Sequence, residues 1–333
     1  MRFMFLECKL LKAKFHKLRT WNMNRQSRVK HIADADLKLL RVFKAVAESG
    51  GLAAAETELN IGKSTISKYI ADLELRLDLK LCNRGPAGFS LTDDGEQVLR
   101  SAEGLLASVT DFRAQVNEIK QQLVGTIRIA LFDQCASNPE AFVPGTIREF
   151  NKAAPSVEIE LSLEPPNVIE TKVIGGQLDI GILALHRPSP SLDYLPLYGE
   201  SMFLYCGKGH PFFDCDQTSL GLPDVQAENY AGIRVNSPNL HVGQKLGFRR
   251  AAKVQNEQAL AILIMSGSYL GFLPDHLGDG FVRYGLMKKV LPGEISYRSQ
   301  FAAVTRKRPA VNRITKLFLD TLVAAHSGHG DGA

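Results

Sequence analysis

Apolar residues recur at helical spacing in three short segments between residues 37 and 77, and a glycine or polar stretch separates each segment from the next. The pattern predicts a first helix over residues 37–47, a second over Leu52–Leu59 and a third from Lys63, after a tight turn. We expect the third helix to bury Ile66, Ile70, Leu73 and Leu77. Its outward face then carries a polar cluster at the N-terminal end: Lys63, Ser64, Thr65, Ser67 and Lys68. Such a helix end is typical of the element that enters the major groove of DNA.

A two-stranded wing is predicted directly after these helices. Gly85, Pro86 and Gly88 lie between two short apolar stretches and supply the turn, with Arg84 at the edge of the wing. From that edge Arg84 could reach a phosphate or the minor groove. Periodicity alone would equally fit a small three-helix core with ordinary solvated polar residues. The order of three helices, a tight turn and a wing favours a winged helix-turn-helix DNA-binding domain over residues 34–91.

Residues 37–96 resemble the N-terminal domain of LysR-type transcriptional regulators. The resemblance is carried by Leu40–Phe43, Glu48–Gly50, Ala54, Ala55, Leu59, Ser64–Ser67, Ile70–Glu74, Leu81, Arg84, Leu91, Thr92, Gly95 and Glu96. Three positions depart from the family pattern. Glu56 stands where the family usually repeats an alanine, Gly62 replaces the usual polar cap of the third helix, and Asp78 replaces a customary glycine. A glycine can still serve as an N-cap at small cost, so the assignment survives.

The resemblance, together with the usual chemistry of DNA contacts, implies a role for each residue of the polar cluster. Lys63 and Lys68 would contact phosphates or base edges. Ser64 and Thr65 would contact base edges. Ser67 would contact a phosphate, and Arg84 the flanking DNA backbone.

A long linker helix is predicted over residues 92–124, with Thr92 as its N-cap. Apolar residues repeat there with heptad spacing, which indicates a seam between two subunits, whereas a helix packed on its own domain would show a wider, drifting stripe. A symmetric dimer would read a two-part, roughly palindromic site. The resemblance likewise implies dimerisation through this helix, and in many members tetramers. The predicted seam residues are Val98, Leu105, Val109, Phe112, Val116 and Ile119, with Ala102 and Leu123 completing the repeat.

From residue 125 the pattern changes to alternating strands and helices, which predicts an α/β domain. The first part has the pattern of a βαβαβ unit, with a helix opening at Asn138 and Pro139. A second α/β part follows, with a strand at Met202–Cys206, and a last strand and helix return to the first part. This order resembles the two-lobed type 2 periplasmic-binding-protein fold of LysR-type effector domains. The predicted lobes are residues 125–198 with 302–326, and residues 199–301, before a disordered tail at 327–333.

In such folds a ligand binds between the lobes, beyond the carboxyl ends of the strands. Gln134, Ser201 and Asn236 could donate hydrogen bonds there. Asp133 could pair with a ligand ammonium, a ligand hydroxyl or a basic side chain, and it could equally cap a turn. The predicted effector-binding residues are Asp133, Gln134, Cys135, Ala184, Leu185, Ser201, Met202, Asn236 and Phe272.

Charge is unevenly distributed along the 333 residues, whose formal net charge is +5. Residues 1–33 hold nine Lys or Arg and one Glu, whereas residues 34–96 hold eight basic and eleven acidic residues. Positive charge in the DNA-binding domain must therefore act locally. The basic extension could be a DNA-contacting arm or a membrane-surface helix. The favoured interpretation places residues 1–33 outside the folded unit, with Met23 as the start of the protein.

Other sequence features bear on the class of protein. No apolar run reaches the roughly 18 residues that span a bilayer, and five cysteines without a recognisable export signal favour reduced thiols in the cytoplasm. The spacing of Cys206 and Cys215 suggests a redox pair only weakly. The eight histidines, His276 among them, show no metal-ligand spacing. An enzyme and a solute-binding protein are therefore disfavoured.

The sequence favours a cytoplasmic regulator that takes no cofactor and does not engage a membrane. Its expected partners are double-stranded DNA, a second copy of itself, a small-molecule co-inducer and, if it activates transcription, RNA polymerase.

Overall fold

A computed structural model of the protein describes residues 34–85, 88–119, 123–132, 135–185, 187–234 and 237–327. Its first unit begins with three helices. They are α1 (Asp34–Glu48), α2 (Ala55–Leu59) and α3 (Lys63–Leu77). The predicted face of α3 is confirmed, because Ile66, Ile70 and Leu73 are buried and Leu77 packs against the same core. The predicted basic extension at residues 1–33 lies outside the described residues.

The second helix is shorter than predicted. Its expected first turn, Leu52–Ala54, forms a non-helical turn instead, since Gly50 and Gly51 both have positive φ and redirect the chain there. The turn into α3 uses Asn60 in the left-handed region, which asparagine tolerates better than most residues. The turns before and after α2 are therefore both tight.

The predicted wing is confirmed as an antiparallel pair, β1 (Cys82–Gly85) and β2 (Gly88–Leu91). Thr92 caps the next helix, α4 (Asp93–Ile119), by accepting a 2.9 Å hydrogen bond from the Gly95 N–H. The same hydroxyl donates to the carbonyl of Lys80 at 2.6 Å. A Cβ at position 95 would lie only 2.1 Å from the Leu81 carbonyl oxygen, so this close approach of helix and strand requires glycine.

The apolar stripe of α4 is divided between two environments. Val98, Ala102 and Leu105 pack against the core of the DNA-binding unit in the same chain. Phe112 and Val116 remain 64% and 36% exposed. The N-terminal part of the stripe is therefore explained by packing of α4 on its own domain. An exposed apolar surface remains only in the later part of α4, at Phe112 and Val116. Leu123, expected as the last seam position, lies beyond the end of α4 and packs against the first lobe instead.

The chain divides between Leu106 and Ala107 into two units, of which the second is the larger. Its first lobe contains the predicted βαβαβ unit: β3 (Gly125–Leu131), α5 (Val143–Ala153), β4 (Val157–Leu163), α6 (Pro166–Ile174) and β5 (Ile180–Ala184). β3 pairs in parallel with both β4 and β5. The lobe is closed by the C-terminal helix α11 (Arg313–Ser327), whose Phe318 packs edge-on against Phe150 of α5.

Two details of this lobe correct the sequence prediction. The helix expected to open at Asn138 is split, because Phe142 adopts a left-handed conformation between a 3₁₀ turn over Pro139–Ala141 and α5. The terminal helix includes Ser327, which the sequence assigns to a disordered tail. The rest of that tail, residues 328–333, lies outside the described residues.

Two long antiparallel strands, β6 (Leu192–Gly207) and β11 (Ser296–Arg306), run from the first lobe into the second. Their register shifts between Gln300 and Ala302, at the level where the lobes meet. The sequence predicts β6 only over Met202–Cys206, because the first half of the strand contains Asp193, Pro196 and Gly199 and lacks a strand-like pattern.

The second lobe packs its remaining elements around these two strands. They are α7 (Leu222–Ala227), β7 (Tyr230–Ile233), α8 (Pro238–Lys245), β8 (Arg250–Val254), α9 (Glu257–Met265), β9 (Gly271–Pro274), α10 (Asp275–Arg283) and β10 (Met287–Lys289). The apolar run from Glu257 to Met265 predicts α9 over the residues where it is found, whereas the sequence pattern predicts none of α7, α8, β8, α10 and β10. None of the helices in the described ranges is long and apolar enough to cross a bilayer.

Candidate nucleic-acid interface and ligand cleft

The five predicted polar residues of α3 share the outward face of its N-terminal end. Lys63, Ser64 and Lys68 are exposed, and Thr65 and Ser67 are half-buried. They are held outward because the opposite face is fixed in the core by residues with no measurable exposure, Ile66 and Ile70. Two lysines and three hydroxyls within one and a half turns offer charge for phosphates and hydrogen-bonding groups for base edges.

The first turn of α3 is capped by an unusual route. Gly62 precedes it in an extended conformation, and its carbonyl accepts from Thr65 and Ile66 at 2.9 and 3.1 Å, but Gly62 supplies no side-chain cap. A carboxylate oxygen of Glu56, on α2, accepts the backbone N–H of Lys63. In the sequence Glu56 and Gly62 are two separate departures from the family pattern. In the fold they are related, because Glu56 accepts a hydrogen bond at the helix end where Gly62 offers no side chain.

The orientation of α3 is fixed at its far end as well. Glu74 accepts the backbone N–H groups of Leu81 and Cys82 at 2.8 and 3.2 Å, which ties α3 to the first strand of the wing. An ion pair between Arg76 and Asp36 joins α3 to α1. Both contacts hold the polar end of α3 in a defined position relative to the wing.

The wing places Arg84 beside its turn. Arg84 lies in β1 opposite Phe89 of β2, one residue before the strand ends at Gly85. The predicted position at the edge of the wing is therefore confirmed for the backbone.

A cavity of about 270 Å³ lies between the lobes of the second unit. It is lined by Asn138, Pro139 and Glu140 from the first lobe, Gly199, Glu200 and Ser201 from β6, and Asp275, His276, Asp279 and Arg283 from the second lobe. The buried carboxylate of Glu200 accepts the Asn138 side-chain N–H at 2.8 Å and lies 3.2 Å from Nε2 of His276. Nδ1 of His276 lies 3.1 Å from the Ser137 hydroxyl. Polar groups of both lobes thus meet at one carboxylate.

The nine predicted effector-binding residues fall into four groups. Ser201 lines the cavity. Leu185 is half-buried and does not line it, and its N–H donates to the Gln300 carbonyl at 2.7 Å. Asp133, Gln134 and Asn236 lie outside the described residues.

The remaining four predicted residues are buried rather than displayed. Ala184 is 4% exposed, at the end of β5. Met202 and Phe272 pack in the core of the second lobe. The thiol of Cys135 is enclosed, 3.0 Å from the Phe132 carbonyl and 3.5 Å from the Tyr198 hydroxyl. Met202 and Phe272 lie within strands and Cys135 lies in a turn, and all four side chains are buried, so their contact with a ligand stays a prediction.

Sequence reasoning misses the polar centre of this cavity. In the sequence Asn138 is a helix-opening residue and His276 is an isolated histidine, and Glu200 lies near the predicted cleft beside Ser201 but is not a predicted ligand contact. Asn138 and His276 lie 62 and 76 residues from Glu200 along the chain, so no local spacing could relate them. Only the topology brings them together.

The four cysteines in the described ranges lack the environment of a redox pair. Burial raises the pKa of the Cys206 thiol to about 12, which keeps it protonated at neutral pH. Cys82 and Cys135 are also buried, and Cys215 is partly buried. A protonated, enclosed thiol is a poor nucleophile, consistent with the expectation of incidental thiols.

Two family descriptions match the chain in sequence. "Bacterial regulatory helix-turn-helix protein, lysR family" matches residues 37–96, and "LysR substrate binding domain" matches residues 120–327. The HTH-type transcriptional activator BauR of Pseudomonas aeruginosa is 33% identical over 294 residues, covering 88% of this chain and 96% of that protein. The SDS degradation transcriptional activation protein of a Pseudomonas species is 27% identical over 301 residues, covering 86% and 96%.

Solved structures show the same fold. CbnR, a LysR family transcriptional regulator, gives a TM-score of 0.61 at 18% identity, with 87% of this chain and 99% of that chain covered. Full-length CbnR complexed with its target DNA gives 0.60 at 19% identity, with the same coverage.

Proposed function

Because this chain belongs to the LysR family of transcriptional regulators, we propose that it reads double-stranded DNA with the N-terminal end of α3. The observation that supports this most directly is the exposed cluster from Lys63 to Lys68 on a helix whose other face is buried. Lys63 and Lys68 contact phosphates or base edges, Ser64 and Thr65 contact base edges, and Ser67 contacts a phosphate. Arg84 of the wing contacts the flanking backbone.

Selection from random DNA tests this proposal and does not require the operator sequence. The purified full-length chain is mixed with duplexes that carry a random central segment, and bound molecules are recovered through several rounds. We expect enrichment of one two-part sequence, because a symmetric dimer presents two copies of α3. If no sequence were enriched at low ionic strength, the assignment of α3 would be rejected.

We further propose that the chain dimerises through the later part of α4, along Val109, Phe112, Val116 and Ile119, because Val98 and Leu105 of the predicted seam pack against the core of their own DNA-binding unit. The exposed apolar surface of Phe112 and Val116 supports this, since a lone helix would leave it in water. Further assembly into tetramers fits the same architecture.

Two relatives are named as activators of transcription, which supports contact of this protein with RNA polymerase at the promoter. Such contact implies action in the cytoplasm, because the bacterial chromosome lies there.

A small molecule is proposed to regulate this DNA binding from the cavity between the lobes. Ser201, Glu200, His276 and Asn138 offer hydrogen-bonding groups there. Asp133, Gln134 and Asn236 stay predicted ligand contacts. A ligand that bound both lobes would favour one degree of closure. A thermal-shift screen of amino acids, aromatic acids and sugar acids tests this: a binder raises the midpoint in the wild type but not in Ser201→Trp, which fills the cavity.

We infer that this site binds its ligand without transforming it and without a cofactor. The Ser137–His276–Glu200 chain brings a hydroxyl, an imidazole and a carboxylate together, an arrangement that hydrolases also use. Membership in a family of regulators favours binding. An active-site fluorophosphonate distinguishes the two functions, because covalent labelling of Ser137 would indicate a nucleophile and thus an enzyme.

A further inference from the structure

We propose that Glu56 is a positioning residue for DNA recognition: from α2 it supplies the N-terminal cap that α3 lacks at Gly62. This inference rests on the proposed role of α3 in reading DNA. The observation that carries it is the hydrogen bond from the Lys63 backbone N–H to the Glu56 carboxylate, across the turn of the helix-turn-helix.

The first N–H groups of a helix have no partners within the helix, and a side chain of the preceding residue usually accepts one of them. Gly62 has no side chain to do so. A carboxylate at this end also interacts favourably with the helix dipole. Glu56 therefore caps this helix end with a charged acceptor, on the N–H of the first helical residue instead of the Ser64 or Thr65 N–H that an N-cap side chain accepts.

The cap matters for recognition because of where it lies. Lys63 is the first residue of α3 and, with Ser64 and Thr65, belongs to the turn that faces the DNA. Without the cap, that turn would fray in a fraction of the molecules. The apparent affinity falls by that fraction, because only ordered molecules can bind.

The backbone at Gly62 permits a direct rescue. Its φ of −67° and ψ of 149° are the extended angles of an N-cap residue, and a Cβ built there meets no atom within 4 Å. Gly62→Ser therefore adds a hydroxyl without strain at the position where a cap usually resides.

A matched control exists two residues away. Glu58 also lies on α2, but its carboxylate accepts from the Ser49 hydroxyl at 2.9 Å instead of from α3. Glu58→Ala removes the same charge near the DNA and leaves the cap intact. Loss of a negative charge alone would strengthen binding to polyanionic DNA, so the two substitutions are expected to act in opposite directions.

The experiment measures binding of full-length variants, by fluorescence anisotropy, to the duplex selected by the wild type and to an equally long random duplex. For Glu56→Ala we expect affinity for the selected duplex to fall about three- to tenfold, with a much smaller change for the random duplex. Adding Gly62→Ser should restore affinity to within about twofold of wild type. Glu58→Ala should bind both duplexes as well as the wild type or slightly better.

Hydrogen exchange of the protein without DNA provides an independent measurement. Amides in the first turn of α3, from Lys63 to Thr65, should exchange faster in Glu56→Ala, and those of Ser64 and Thr65, which a serine at position 62 can cap, should slow again in the double variant. Unchanged exchange in Glu56→Ala would overturn the cap. Binding by Glu56→Ala equal to that of Glu58→Ala, or a loss that Gly62→Ser failed to rescue, would overturn the positioning role. Faster exchange with no sequence selected by the wild type would instead reject the role of α3 in reading DNA.

Discussion

At the scale of single residues, the proposed function divides the polar end of α3 into groups that would read bases and groups that would bind phosphates. Thr65→Ala should lower discrimination between the selected and a mismatched duplex by about 1–3 kcal/mol, because a base-edge contact is lost. Lys68→Ala should weaken binding to all duplexes and reduce the salt slope by about 1, because one phosphate contact is lost. Titrations at several salt concentrations measure both effects.

An exposed lysine of the effector unit controls for charge. Lys316→Ala, on α11, should leave affinity and salt slope unchanged. Wild-type binding by both Thr65→Ala and Lys68→Ala would mean that another surface reads the DNA.

His210 gives the second residue-scale prediction, on stability. Burial lowers its pKa, and its Nδ1 accepts the Phe212 N–H at 3.1 Å, which selects the neutral ring. In the unfolded chain the ring binds a proton near pH 6.5, whereas in the folded chain it resists protonation to lower pH. Its contribution is therefore complete above about pH 6.5 and is lost as pH falls from there towards the lower folded pKa.

Urea unfolding at pH 7.5 and pH 5.5 measures this loss. The midpoint of the wild type should fall between the two pH values by more than that of His210→Asn, whose amide oxygen can still accept the Phe212 N–H. His241→Asn, at an exposed position on α8, should behave like the wild type. An identical fall in all three proteins would show that His210 does not sense pH.

At the scale of elements, the sequence predicts helices that have a regular spacing of apolar residues and misses elements that depend on pairing with distant parts of the chain. α3 is predicted well because its apolar residues recur at helical spacing after a tight turn, and α9 because an asparagine cap precedes its apolar run. The first half of β6 is missed, because pairing with β11 overrides the poor strand propensity of Pro196 and Gly199. The break at Phe142 is also missed, because phenylalanine rarely adopts the left-handed conformation that it has there.

The two candidate sites differ in the same way. The polar residues of α3 that are proposed to face DNA lie within six positions of one helix. The helical spacing of the buried residues in α3 therefore predicts their outward position. The cavity between the lobes is assembled from β6, α10 and the turn before α5, and the sequence places only Ser201 there correctly. Residues such as Met202 and Phe272 are near the cleft along the chain, but strand alternation turns their side chains into the core.

At the scale of the whole molecule, recognition of a two-part DNA site requires two copies of the chain, and the exposed part of α4 is the surface proposed to join them. Phe112 is 64% exposed on α4, so replacing it should cost a single chain little. Burying a phenylalanine contributes about 1.5–3 kcal/mol, and a symmetric seam buries two. Phe112→Ser should therefore raise the dimer dissociation constant at least about tenfold.

Analytical ultracentrifugation over a range of concentrations measures that constant, and binding to the selected duplex reports its consequence. Tyr284→Ser, at an 82% exposed position in the second lobe, removes a comparable apolar group away from α4. The control should assemble and bind as the wild type does, whereas Phe112→Ser should bind half-sites independently and lose affinity for the intact site. A Phe112→Ser protein that stayed fully dimeric would place the subunit contact elsewhere, because the exposed part of α4 would then have no role in pairing.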